Sequence, residues 1–428
     1  MTDSEPLGLG IDLGTSGLRV SVVNTSGEPL QEQAIPYPGE FRHADSWRQG
    51  LIALMGQVEP ALKSRIAALA IDGTSGTLLA CDQHGAPLGQ ALAYCDACPN
   101  QAAQAKALIG GEGAAASASG SVARALELLE RLKWPESNAT LPLLRHQADW
   151  LMGWLMGHWR WGEEGNNLRL GWELERQCWS GELSSAAWAA ALPQIVASGQ
   201  ALGSLQPQVA AQLGLGSHCQ VVSGTTDGNA SVLAADPAPG DGVAVLGTTL
   251  VLKQFHNAPL QGAGINNHRL AGRWLVGGAS NAGAGVLRRF FSDQQLQELS
   301  RQIDPLQPSG LELRPLPQRG ERFPIDDPTL EPVLEPRPVS DALYLQGLLE
   351  GLCELERLGW QRLQQLGATP IQRVLSVGGG ARNPQWRQLR RQALGLPVLD
   401  RSGTSAATAM ARLALRGITL APTSAQKQ

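Results

Sequence analysis

Several things are scarce in this chain, and each shortage excludes something. Its 428 residues include only six cysteines, too few and too scattered for a disulfide framework. Cys95 and Cys98 form the one CxxC, with no second pair or histidine at ligand spacing to complete a zinc site. The seven histidines fall into no HExxH pattern. Charged residues make up 17% of the chain, the formal net charge is −4, and no dense Lys/Arg run occurs. A nucleic acid or an acidic membrane surface therefore lacks its electrostatic footprint. No stretch reaches the roughly 18 apolar residues that span a bilayer. The opening MTDSEPLGLGIDLG has neither the basic nor the apolar region of a secretion signal, so a cytoplasmic location is expected. No GxxxxGK[ST] occurs, so a Walker-type phosphate loop is excluded. The sequence sets no oligomeric state.

What is present is a globular composition, 43% hydrophobic, in a chain long enough for two domains with cores of their own. One phrase occurs twice: GLGIDLGTSGLRVSVVNTSGEPL near the start has an echo in ALAIDGTSGTLLACDQHGAPL. Each copy reads as an apolar strand ending in Asp, a Gly-Thr-Ser-Gly turn, and a second apolar strand. Both are expected as strand-turn-strand units of one sheet, with their turns in one cleft. The second copy lacks the Leu between Asp and Gly. Because strand side chains alternate faces, Asp72 is expected to point away from where Asp12 points.

The rest of the chain punctuates clearly. A helical pattern covers about 45–66, and residues 101–215 read as mainly helical. Eight of the twelve tryptophans lie between Trp134 and Trp188, a cluster better explained by core packing than by a binding platform. CQVVSGTTDGNASVLAA reads as strand, turn, helix, and GDGVAVLGTTLVLKQF as strand, turn, strand. Residues 305–338 are proline-rich and read as a long ordered loop. A helix over 341–366 precedes VLSVGGGARNPQWRQLRRQAL, which is strand, triple-glycine turn, helix, and TSAATAMARLAL supplies a last helix of small residues. The domain division is expected near 220, giving 1–220 and 221–428.

Three turns rich in glycine and hydroxyls follow apolar strands: Gly14-Thr15-Ser16, Gly247-Thr248-Thr249 and Gly378-Gly379-Gly380. Glycine lets backbone N–H groups converge on an anion, and short hydroxyls add donors. A single such turn is ordinary hairpin chemistry. Acidic residues beside two of them narrow the reading: Asp12 closes the first strand, and Asp227 follows Gly224-Thr225-Thr226 where a helix should start. Asp at a helix start is often only a cap, but Asp at a strand end beside a phosphate turn suits Mg²⁺ and phosphoryl transfer.

In this arrangement the chain resembles the FGGY carbohydrate kinases. GIDLGTSGLR is similar to the family's first phosphate motif, SGTTDGNAS to the motif with its catalytic Asp, and VLGTT to its second phosphate motif. LPQRGERFPIDDP is similar to its Gly-Glu-Arg loop and SVGGGARNPQW to its adenosine motif, while QADWLMGWLMG and GNNLRLGW fit the sugar-side stretch. The compact length, AIDGTSGTLLACD, HQADWL and GASNAGAGVLRRFF most resemble the short ribulokinase-like, or xylulokinase-like, members of plants and cyanobacteria. Many xylulokinases carry Trp-x-Asp-x-Arg where this chain has AYCDACP. Asp96 is kept but the Arg two residues on is not, which moves the expected substrate from D-xylulose to D-ribulose.

The resemblance implies an α/β, two-domain actin/hexokinase-like ATPase fold. Its ribonuclease H-like domains have mixed sheets flanked by helices around a central cleft, where the sugar binds and draws the domains together. It implies ATP and Mg²⁺ as cofactors, with a small-molecule sugar as the partner and neither nucleic acid nor membrane. Asp227 would be the catalytic base and, with Asp12, would serve metal and substrate. Ser75 and Asp96 would contact the sugar. Gly14, Thr15, Ser16, Gly247, Thr248 and Thr249 would orient phosphates, with Arg19 in possible reach. Gly379, Gly380, Asn383 and Trp386 would border the nucleoside. A xylulose or other polyol kinase of the same family is the alternative. A non-catalytic ATP-binding regulator or chaperone of the superfamily would want a DNA-binding or peptide-binding domain, for which the expected elements leave no place.

Overall fold

The computed structural model describes residues 5–111, 113–136 and 140–420. They form two compact units: the described parts of Met1–Ala230, Arg269–Gly272 and Ala406–Gln428, and then Ser231–His268 with Arg273–Ser405. This division runs differently from a single cut at 220, because the chain's last helix joins the first unit.

The first unit is built on β1 (Leu7–Leu13), β2 (Gly17–Val23), β3 (Pro29–Pro36) and β4 (Ile66–Gly73). Two later strands, β7 (Ala201–Ser204) and β8 (Gln220–Thr226), complete its six-stranded sheet in the order β7-β8-β4-β1-β2-β3. The strands β1, β4 and β8 run parallel, and the meander β1-β2-β3 is antiparallel. Covered on both faces, β1 is a near-continuous apolar run rather than an alternating one. One face takes α1 (Ala44–Met55) and α3 (Gln147–Met156), whose Trp47 and Trp150 meet edge to face at 5.9 Å inside the core. The other takes α7 (Ala406–Leu420). A Cβ on Gly10 would lie 1.8 Å from the Ala407 carbonyl oxygen, so only glycine lets this helix lie so close to β1.

The second unit repeats the plan. Here β9 (Asp241–Leu246), β10 (Leu250–His256), β11 (Ile265–Leu270), β12 (Arg273–Ala279), β13 (Arg373–Val377) and β14 (Val398–Asp400) form a sheet ordered β11-β12-β10-β9-β13-β14. Again the first strand pairs antiparallel into a meander on one side and parallel on the other. Helices α5 (Asp341–Gln365) and α6 (Pro384–Leu394) pack against each other beside it. The Ser340 side chain caps α5 by accepting the Leu343 N–H.

Several expectations need correction. The helix at 45–66 ends at Met55, and a separate short turn of helix covers Pro60–Lys63. Residues 101–215 mix short strands with their helices, among them α2 (Ser121–Arg131). The tryptophans do pack: Trp150, Trp154 and Trp188 are buried in two apolar clusters. The second copy of the repeated phrase is not a hairpin. After β4 the strand β5 (Leu78–Cys81) leaves the main sheet and pairs with β6 (Leu143–His146).

Candidate active site

Asp72 does not turn away from Asp12. The parallel register pairs Asp12 directly with Asp72, and Leu13 with Gly73, so both aspartates share a face. The missing residue is absorbed in the turn after the strand, not in the strand. The repeated phrase thus places two aspartates side by side at the ends of neighbouring strands, and β8 ends beside them at Thr226, followed by Asp227, the first residue of α4 (Asp227–Ala234).

The three carboxyls occupy different environments. Asp72 is fully buried, and neither of its oxygens receives a hydrogen bond from a donor among the described residues. Burial first, then the charges of Asp12 and Asp227 and the contact with the Asp12 carboxyl, hold it far above the usual carboxylate range. A proton held on Asp72 would give it a donor toward the Asp12 carboxyl. Asp12 is itself raised by burial, an effect opposed by that bond and by the charge of Arg19. Asp227 is raised by burial, against the pull of the Gly228 and Ser75 N–H groups and of Arg169. The Gly228 N–H donates to its Oδ1 at 2.8 Å.

The turn after β1 closes with Gly14 N–H donating to the Gly17 carbonyl at 3.0 Å, leaving Thr15 and Ser16 exposed. Arg19, half-buried, pairs loosely with Glu32 at 3.6 Å, and its charge acts on Asp12. Ser75 lies partly exposed in the second turn. Beside it the buried Arg124 donates to the Gly76 and Asp96 carbonyls at 3.1 Å each, which fastens the Asp96 loop to that turn. Asp96 does have an arginine partner, supplied from far along the chain. The Arg42 guanidinium grips both its oxygens, and the Ala93 N–H adds a bond at 2.8 Å. The guanidinium beside it lowers the Asp96 carboxyl below its ordinary value.

The second unit holds the other predicted residues. Gly247-Thr248-Thr249 joins β9 to β10 as Gly14-Thr15-Ser16 joins β1 to β2, and it is braced by Ala284 and Gly285 N–H groups on the Gly247 and Thr248 carbonyls. The triple glycine follows β13 as the second Gly-Thr-Ser turn follows β4. It borders a cleft of about 520 Å³ whose wall includes Leu287, Leu296, Arg301, Leu345, Gly379, Gly380 and Asn383. A Cβ on Gly379 would meet nothing within 4 Å, so internal packing does not demand that glycine and the backbone is open to a ligand. Asn383 caps α6 by accepting the Trp386 N–H at 3.0 Å and donates to the Ser300 hydroxyl at 2.8 Å. Trp386 is 4% exposed and sits in the core under Gly380, its ring 2.4 Å from where a Cβ there would be. It backs the turn and also lines that cleft. Glu321 of the Gly-Glu-Arg loop is buried and accepts from the Ser280 hydroxyl at 2.6 Å and the Asn281 and Arg322 N–H groups. It ties the 305–338 segment to the end of β12.

Sequence reading missed Asp72 as a partner of Asp12, and passed over Arg42, Arg124, Arg169, Tyr37 and Gln147. Their signal is weak, since isolated arginines and glutamines in loops have no spacing to betray them. No cluster of three or more His, Cys, Asp or Glu groups arranged to hold a metal occurs among the described residues. A hard cation here would have one or two carboxylates, completed by water and phosphate oxygens, which is how Mg²⁺ is usually held. No described helix is long and apolar enough to cross a membrane.

Comparison with known proteins bears on the fold and the family. A xylulose kinase of Streptomyces coelicolor is 26% identical over 431 residues, covering 92% of this chain and 84% of that protein. An L-fuculokinase of Escherichia coli is 24% identical over 93% of this chain and 90% of its own length. The solved xylulose kinase from Rhodospirillum rubrum superposes with a TM-score of 0.78 at 19% identity, covering 96% of this chain and 90% of that one. The shared architecture is the actin/hexokinase-like ATPase fold. The models for the N-terminal and C-terminal domains of the FGGY carbohydrate kinases match residues 7–234 and 242–417; with both matched nearly end to end, the chain belongs to the FGGY family of carbohydrate kinases.

Proposed function

We propose that the protein transfers the γ-phosphoryl group of ATP to the terminal hydroxyl of a ketopentose, D-ribulose, giving D-ribulose 5-phosphate and ADP in the cytoplasm. The observation that carries the reading is Asp227. It stands at a strand end, partly exposed, and is held by amides from two segments beside a turn of hydroxyls. There it acts as general base, taking the hydroxyl proton as oxygen attacks phosphorus, a role worth about 10²–10⁴ in rate. Ser75 and the Asp96 loop face the sugar. The amides of Gly14–Ser16 and Gly247–Thr249 orient the phosphates, and the cleft at Gly379, Gly380 and Asn383 takes the nucleoside. Asp12 and Asp227 would hold Mg²⁺, which supplies charge neutralisation on the phosphate oxygens. The remaining catalysis is positioning.

D-ribulose is favoured over D-xylulose by the AYCDACP segment, in which the local arginine is missing. The names of the relatives, xylulose kinase and L-fuculokinase, favour the alternative of D-xylulose or another polyol. ADP release measured with D-ribulose, D-xylulose, L-ribulose, L-fuculose and glycerol decides between them. The highest kcat/KM is expected for D-ribulose. A tenfold lead for D-xylulose or glycerol overturns the substrate, and no sugar-dependent release overturns the kinase reading.

A further inference from the structure

The two turns of the repeated phrase are joined by a chain of hydrogen bonds, buried at Gln147, Thr74 and Thr77 and part-buried at Tyr37, that runs through residues with no assigned role. The Tyr37 hydroxyl donates to the Gly14 carbonyl at 2.9 Å. The Gln147 side-chain amide donates to the Tyr37 oxygen at 3.3 Å. On its other side the Gln147 Oε1 accepts both the Thr74 N–H at 3.0 Å and the Thr74 hydroxyl at 2.7 Å. Because the Thr74 hydroxyl is spent on Gln147, the Thr77 hydroxyl must donate to Thr74 Oγ1, 2.7 Å away. Thr77 Oγ1 then accepts the Tyr94 N–H at 3.2 Å. One residue past Thr74, the Ser75 N–H holds Asp227. The path therefore leads from the first phosphate turn to the turn that holds Asp227, and on to the Asp96 loop.

Its members are built in. Gln147, Thr77 and Thr74 are 0%, 0% and 3% exposed. Gln147 opens α3 with its own N–H on the Thr77 carbonyl at 3.1 Å. A Cβ on Gly73 would come within 3.3 Å of Gln147 Oε1, so the glycine of the second copy lets the helix start reach the turn. The chain's polarity fixes which way the Gln147 amide faces, since only one orientation presents oxygen to Thr74 and N–H to Tyr37. Satisfied polar networks of this kind are rigid, because breaking one link leaves a buried partner unpaired.

We propose that Gln147 and Tyr37 are positioning residues that lock the phosphate turn at Gly14 in register with the turn that aims Asp227. The proposal rests on the kinase reading for its kinetic consequence. In-line transfer tolerates little error, and misplacement by about 1 Å can cost about 10²-fold in rate. The repeated phrase then has a division of labour: the first copy meets phosphate, and the second, fastened to it through Gln147, presents the base.

The test uses Tyr37→Phe, Gln147→Met and the double variant of the full-length protein. Expected values of kcat, with the best sugar found for the wild type, fall about tenfold for Tyr37→Phe and about 10²-fold for Gln147→Met. Both KM values should stay within about threefold. Because both substitutions cut one chain, the double variant should be no slower than Gln147→Met alone, whereas independent roles would multiply. Hydrogen exchange gives a readout that needs no substrate. Amides of residues 72–78 should exchange at least about fivefold faster in Tyr37→Phe, although the deleted hydroxyl bonds none of them. Multiplying rate losses, a rise in KM alone, or unchanged exchange over 72–78 overturns the proposal. A wild type that releases no ADP with any sugar sinks the kinase reading instead, and the exchange comparison then decides the coupling by itself.

Discussion

Asp72 sits where no donor reaches it, against the Asp12 carboxyl and within range of Asp227, and this has a consequence for stability. In the unfolded chain it titrates near the ordinary value of about 3.9. Folded, it holds its proton well above that. From about pH 4 upward to its raised value the folded state therefore binds more protons, so its contribution to stability is lost as pH rises. Asp72→Asn keeps a donor for Asp12 and removes this slope. Thermal midpoints measured from pH 5 to 9 without metal should show the variant gaining on the wild type as pH rises; parallel curves would mean that Asp72 is ionised in the fold. Lys253 carries the opposite sign. It is buried, bonds only the Asn266 carbonyl at 3.2 Å among the described residues, and burial pulls its ammonium down to about 7. Between about 7 and the unfolded value near 10.4 the unfolded chain binds more protons, so stability rises with pH across that window. Lys253→Met should raise the midpoint most at pH 6 and progressively less toward pH 10. A constant difference across that range would show that Lys253 keeps its charge. With Asp227 as the proposed base, its raised carboxyl places the acid limb of kcat/KM above the ordinary Asp range, because a general base works only when deprotonated.

At the level of elements, the strands and the turns after them were legible because apolar runs and Gly-Thr-Ser turns are local signals. The register of β4 against β1 was not, since it depends on where a deletion is absorbed. Aligning the two copies on Asp rather than on Gly would have placed Asp12 beside Asp72. The departure of β5 from the sheet was equally hidden, because Leu78 to Cys81 is apolar enough for either partner and only β6, far along the chain, decides it. The pair Arg390–Glu356 is another long-range feature. Both are buried, with contacts of 2.5 and 2.8 Å, and Ser376 and Trp360 complete their bonding. It joins α5, α6 and β13, which together carry the triple-glycine turn. Glu356→Ala should cost about 3–5 kcal/mol, because it strands a buried guanidinium, while Glu356→Leu with Arg390→Met should cost distinctly less. Denaturant unfolding of both variants checks this, and a double variant as unstable as the single one would show that the pair is itself a net stabiliser.

For the molecule as a whole, composition and motif order conveyed a two-domain kinase, while the course of the chain between the two units did not show in the sequence. The small residues of α7 read as a generic helix, yet Ala407 and Ala411 are the surface against which Gly10 and Gly8 lie. Removing residues 406–428 should therefore unfold the first unit, seen as loss of its cooperative transition; an intact transition would mean the sheet tolerates an open face. In the proposed mechanism the phosphoryl transfer rests on Asp227, and one substitution addresses it with little structural disturbance. Asp227→Asn keeps an oxygen for the Gly228 N–H, so the fold and nucleotide affinity should hold within a few-fold. The decisive measurement is kcat for sugar-dependent ADP release by that variant, with the thermal midpoint taken on the same preparation. The account predicts a fall of about 10²-fold or more at an unchanged midpoint; turnover close to wild type in a folded variant would contradict it.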